Sequence, residues 1–118
     1  MTALEAIALT DALLPNAYDT ACKLRWLSEL DGMIFRELLS WHEDAPEAPG
    51  TLREEDTLLV GAPYHGLYAD YLAAMIHMHD AEFERYSNAM LRYNSAYAAF
   101  ACDYNRNHMP LCRAKIRR

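Results

Sequence analysis

Cysteine is scarce in this chain and badly spaced for any framework. Cys22, Cys102 and Cys112 are odd in number and include no C-x-x-C pair, which excludes a disulfide scaffold and a zinc knuckle and points to a reducing, cytoplasmic setting. No apolar run reaches the length that spans a bilayer, and the opening MTALEAIALTDALLP has neither the basic stretch nor the small-residue cleavage site of a secretory signal. Catalytic words are missing too. There is no G-x-S-x-G, no phosphate-binding loop and no H-E-x-x-H, so the chain reads as a non-enzyme that needs no cofactor. His77 and His79 stand two apart and on a helix point about 200° away from each other, so no metal site is expected. Positive charge is short overall. A net charge of -6 speaks against nucleic-acid binding by the surface as a whole.

What is present is hydrophobic and periodic. With 118 residues, 53% of them hydrophobic and 24% charged, the chain is long enough for one helical core and short of the size at which chains split. Thr2 and Glu5 form a capping-box pair at a helix start, followed by Leu4, Ile7, Ala8 and Leu14 as the expected inner face, with Pro15 as the stop. Asn16 or Asp19 can cap a second helix to about Trp41, with Leu24, Leu27, Leu30, Ile34, Leu38 and Trp41 at steps of three and four. Trp26 and Trp41 are expected in the core, and Gly32 is expected to mark a kink or a close helix contact.

The most regular stripe begins at Tyr68 and runs through Leu72, Met75, His79, Phe83, Tyr86, Met90, Tyr93, Tyr97, Phe100 and Tyr104, again at steps of three and four. Two consecutive fours between Met75 and Phe83 break the beat. Either one helix changes twist there or two helices meet near His79 and Asp80, and a single helix through the whole stretch would be roughly 65 Å long. Pro63 is expected in the first turn of this region. So many phenolic tips need polar partners, which divides the stripe: Tyr68 to Phe83 are expected to pack inside the chain, and Tyr86, Tyr93, Tyr97 and Tyr104 to meet a neighbouring subunit. The expected fold is all-α, a small helical bundle with two N-terminal helices and two long antiparallel C-terminal helices, or one long kinked helix. Residues 1–108 form a single domain and 109–118 a basic arm.

Charge is unevenly placed. Between Glu43 and Asp56 six acids stand against Arg53 alone, inside a Pro/Gly-containing loop spanning 42–57, while Arg106 to Arg118 hold five bases and no acid. Solvated charge is the simplest account of each.

Particular residue strings carry a resemblance. Pro15-Asn16, Lys23-Leu24-Arg25-Trp26-Leu27-Ser28-Glu29-Leu30-Asp31-Gly32, Pro63-Tyr64, Leu67-Tyr68, Tyr71-Leu72, then Asn88, Asn94, Tyr97, Phe100, Tyr104-Asn105-Arg106 and His108 resemble a family of small prophage proteins, the head-to-tail connectors of long-tailed phages, also called adaptors or head-completion proteins. The likeness covers all but the acidic loop and the last few residues, with Gly61 standing where a proline is expected. The resemblance implies a structural virion protein, made in the bacterial cytoplasm and placed at the neck. It also implies a homo-oligomeric ring, commonly of twelve copies, docked below the portal protein and above a further neck or tail protein, with genomic DNA passing through without sequence-specific binding. On that reading Arg113, Lys115, Arg117 and Arg118 make the portal contact. The alternative is a small helical regulator, an antitoxin- or repressor-like dimer that uses the tail on DNA. Against it, no helix-turn-helix spacing with a basic recognition helix is visible.

Overall fold

The structure is a computed structural model, and it describes residues 1–109. Four α-helices follow in order: α1 Ala3–Leu13, α2 Thr20–Glu37, α3 Leu67–His79 and α4 Phe83–Asn107. The fold is all-α. Among the described residues the only extended pairing is an isolated bridge between Thr2 and Thr57, and no helix is long and apolar enough to cross a membrane.

The capping box forms as expected. The Thr2 N–H donates to Glu5 Oε1 at 2.8 Å and the Glu5 N–H donates to Thr2 Oγ1 at 3.2 Å, so two otherwise unpaired helix-end donors are satisfied. The buried face of α1 is Ala3, Ala6, Ile7 and Thr10, which corrects the expected face: Leu4 is 47% exposed. The rotation is set by the chain that crosses the helix start. Ala3 and Leu4 N–H groups donate to the carbonyls of Asp56 and Glu54, and Leu58 N–H donates to that of Met1.

Asp19 caps α2 through a 2.8 Å bond from the Cys22 N–H. Trp26, Leu27, Leu30 and Ile34 are buried along one side, as the spacing requires. The register then breaks at Leu38, where the backbone leaves the α region and a 3-10 turn, Leu39–Trp41, follows. That break throws Trp41 outward, 59% exposed, with its indole N–H on the Arg36 carbonyl at 3.1 Å, so only Trp26 belongs to the core. Gly32 does not interrupt α2, which runs through it, and it makes no close helix contact, since a Cβ placed there would find nothing within 4 Å. Gly32→Ala is therefore expected to raise stability by about 0.5–1 kcal/mol, since it removes backbone freedom from the unfolded chain at no steric cost. A chemical-denaturation midpoint that stays put or falls would contradict this.

Between α2 and α3 the chain has no regular structure beyond that 3-10 turn, yet Leu52, Leu58 and Val60 are buried. Side chains of the flanking helices hold its backbone. Ser28 Oγ accepts the Leu52 N–H at 2.9 Å, Asp31 Oδ2 the Leu59 N–H at 3.1 Å and the Tyr68 hydroxyl the Val60 N–H at 2.8 Å. Pro63 does not open the long helix. It follows a cis peptide in a turn closed by Tyr64 N–H on the Gly61 carbonyl, and α3 starts only at Leu67.

The long stripe is two helices. Asp80 ends α3, Ala81 takes a positive φ of 60°, and α4 returns antiparallel, as the Asp70–Arg92 pair and the Tyr71–Tyr93 and Tyr64–Phe100 ring contacts require. A left-handed alanine costs about 1–2 kcal/mol, and here it reverses the chain. The rhythm's two consecutive fours mark that reversal. The molecule measures 49 × 31 × 21 Å, close to a flat plank.

Candidate interaction surfaces

Tyrosines supply the first candidate surface, and the structure sorts them. Tyr93 and Tyr104 are each only 7% exposed. Tyr93 lies against Tyr71 at 5.4 Å and nearly parallel to Tyr97 at 6.0 Å. Burial pushes the Tyr93 hydroxyl far above the ordinary phenol range, with Tyr97 and Tyr71 adding to the shift. Tyr104 is enclosed by Phe100, His42 and His108. Their rings are consumed inside the protomer, which corrects the expectation that both reach a neighbour. α4 is held on α3 by the Tyr71–Tyr93 contact, and a ring already covered has little area left to give.

Tyr86 and Tyr97 are half-buried. Tyr97 is raised by its own burial and by nearby Glu37. Phe83, expected inside, is 64% exposed, because α4 begins there, just past the turn at Ala81. Arg113, Lys115, Arg117 and Arg118, together with Cys112, lie outside the described residues.

The outer face of α4 is the second candidate. Along its 25 residues only Ala89, Tyr93 and Tyr104 are buried, whereas Leu91 is 66% exposed and Asn94, Ser95, Ala98 and Cys102 are exposed with it. Four of these side chains are small or polar and none carries a charge, so another helix can approach closely. A separate apolar exposure sits on α1, where Leu9 is 40% and Leu13 73% exposed.

Ionisable groups mostly pair off. Arg92 Nε is 3.5 Å from Asp70 Oδ1, His77 Nδ1 is 2.9 Å from Glu82 Oε1, and Lys23 Nζ is 2.6 Å from Asp11 Oδ1. Asp70, His77 and Arg92 line a pocket of about 280 Å³ with Thr10, Leu13, Leu14, Ala69 and Ala73. Asp70 and Arg92 already face each other there, and His77 is taken by Glu82, so no convergent reactive set is formed. Among the described residues no three His, Cys, Asp or Glu side chains are arranged to hold a metal ion.

Two polar clusters escape a reading by periodicity. In the first, Asp31 is fully buried and receives the Tyr68 O–H at 2.7 Å as well as the Leu59 N–H. Burial pushes its carboxyl up, and the two donors pull it part of the way back. In the second, His42, Tyr104, Asn105, His108 and Asp44 meet where α4 ends. Their only sequence signal is a group of polar residues at a helix end. Comparison with protein-family models, curated proteins and solved structures finds no match to this chain.

Proposed function

We propose that the protein is the subunit of a head-to-tail connector ring, docked below a phage portal and extending its DNA channel. The observation that carries the reading is the one-sided packing of α4, together with the residue strings quoted above. A ring built head-to-tail needs two different surfaces on each protomer. The outer side of α4, where Leu91 stands among small and polar residues, and the leucine-bearing side of α1 are two such surfaces. Tyr86 and Tyr97 keep part of their area for a neighbour. The acids from Glu43 to Asp56, nearly all exposed, suit the lining of a conduit, because like charge keeps a passing duplex from sticking. The protein acts by shape and contact, in the virion, without catalysis.

Electron microscopy of the protein mixed with its cognate portal tests this. A ring seated on the portal is expected, and a stable dimer that binds duplex DNA and ignores the portal would replace the reading with the regulatory one. Deleting Leu111 to Arg118 is expected to abolish docking while the far-UV circular dichroism of the helices is unchanged. Docking that survives the deletion would remove Arg113, Lys115, Arg117 and Arg118 from the contact.

A further inference from the structure

The end of α4 is fastened to the root of the acidic segment by a small clasp. His42, 4% exposed, has Nδ1 at 2.9 Å from the Leu38 carbonyl, to which it must donate, and Nε2 at 2.8 Å from Asn105 Oδ1. Tyr104 meets the His42 ring edge-on at 4.7 Å and stacks on His108 at 3.8 Å. His108 closes the far side, its Nδ1 at 2.6 Å from Asp44 Oδ2. One backbone bond runs alongside: the Glu43 N–H donates to the Met109 carbonyl at 2.8 Å.

The protonation logic follows from these partners. With Oδ1 of Asn105 facing it, His42 fits a doubly protonated ring; with the amide turned by half a revolution, it fits a neutral one. The two imidazole rings are 6.2 Å apart, so two charges there would repel. Asp44 places the single charge on His108. His108 is also the C-cap of α4, where the negative end of the helix dipole favours a cation. Tyr104, whose hydroxyl is pushed up first by burial and then by Asp44, stays neutral. The remaining charged neighbours on the last turn, Asp103 and Arg106, face each other at 3.7 Å.

We propose that this clasp is operated by a proton on His108: the imidazolium closes it on Asp44, and the neutral ring loosens it. Closure fixes the point at which the chain leaves Met109 for the basic stretch, right beside the first acids of the 43–56 segment. The device is independent of the connector reading and is testable on the isolated chain.

Amide hydrogen exchange, normalised to intrinsic rates, reads it directly. Protection of the Glu43 N–H is expected to be about two- to five-fold greater at pH 5.5 than at pH 8, the effect size of a solvent-exposed ion pair. Asp44→Asn should flatten that pH dependence, because the 2.6 Å contact with His108 is then no longer an ion pair. Protection at Leu30, deep in α2, serves as the control for intact folding. Equal Glu43 protection at both pH values in the unsubstituted chain, or a pH dependence of that protection that survives Asp44→Asn, would overturn the proposal.

Discussion

Replacing Asp31 by alanine is expected to cost about 2–4 kcal/mol of folding stability at neutral pH, measured as the shift in urea unfolding free energy. The carboxylate is fully buried and takes two donors, the Leu59 N–H and the Tyr68 O–H. Without it both donors are stranded in the interior, each at about 1–3 kcal/mol. Removing a buried charge that has no cationic partner offsets part of that. In Asp31→Asn the side-chain carbonyl still accepts the Leu59 N–H and the amide can donate to the Tyr68 oxygen, so that substitution should cost only about 1 kcal/mol. A loss below about 0.5 kcal/mol for Asp31→Ala, the range of surface substitutions, would show that this network does not hold the fold.

The same residue fixes a sign in the pH dependence. Burial, outweighing the two hydrogen bonds, raises the Asp31 carboxyl above its ordinary value, so the folded state binds its proton more tightly than the unfolded state. Its contribution is then largest below about pH 4, the ordinary aspartate range, and declines as pH rises through the raised folded value. Stability of the unsubstituted chain relative to Asp31→Asn should therefore fall as pH is raised from about 3 to 7. A relative stability that rises over that interval would mean that the hydrogen bonds dominate and the shift has the opposite direction.

Trp26→Ala is expected to have an effect of similar or greater size, about 3–5 kcal/mol, against less than about 1 kcal/mol for Trp41→Ala. Trp26 is 3% exposed, with Tyr18 at 5.6 Å and His79 at 5.1 Å between ring centroids. Truncating it opens a large hole at the junction of the α2 start and the α3 end. Trp41 gives up one bond to a carbonyl and surface that is mostly wet already. Thermal or urea unfolding of the two variants under identical conditions decides this, and equal losses would place Trp41 in the core after all.

Much of the framework was legible in the residues because helices announce themselves locally. The Thr2–Glu5 box, the Asp19 cap and the run Leu27, Leu30, Ile34 depend on neighbours three or four positions away, so spacing was enough to find them. The doubled four-residue step before Phe83 marked the place of a change but left one twisted helix and two helices both open, and the left-handed Ala81 decided for two. Facing was harder. Leu4 and Ile7 both fit an inner stripe of α1, and only the pairing of the helix start with residues 54–58 chose between the possible rotations. The tyrosines show the same limit: a period groups Tyr86, Tyr93, Tyr97 and Tyr104 on one side of α4, but how far each is covered depends on side chains such as Tyr71 and His42, which lie elsewhere in the chain.

By itself, then, the sequence determined an all-α chain, its first helix starts, a change of rhythm near Asp80 and the opposite charges of the 43–56 segment and the C-terminal stretch. Each is a matter of composition or of contacts within one helical turn. Tertiary structure alone decided that Trp41 faces water, that Tyr93 and Tyr104 are consumed inside the protomer, that Asp31 and Tyr68 gather the 58–60 segment, and that His42 meets His108. Those outcomes rest on hydrogen bonds and ring contacts between residues far apart in the chain, and no local period encodes which distant side chain will fill a given space.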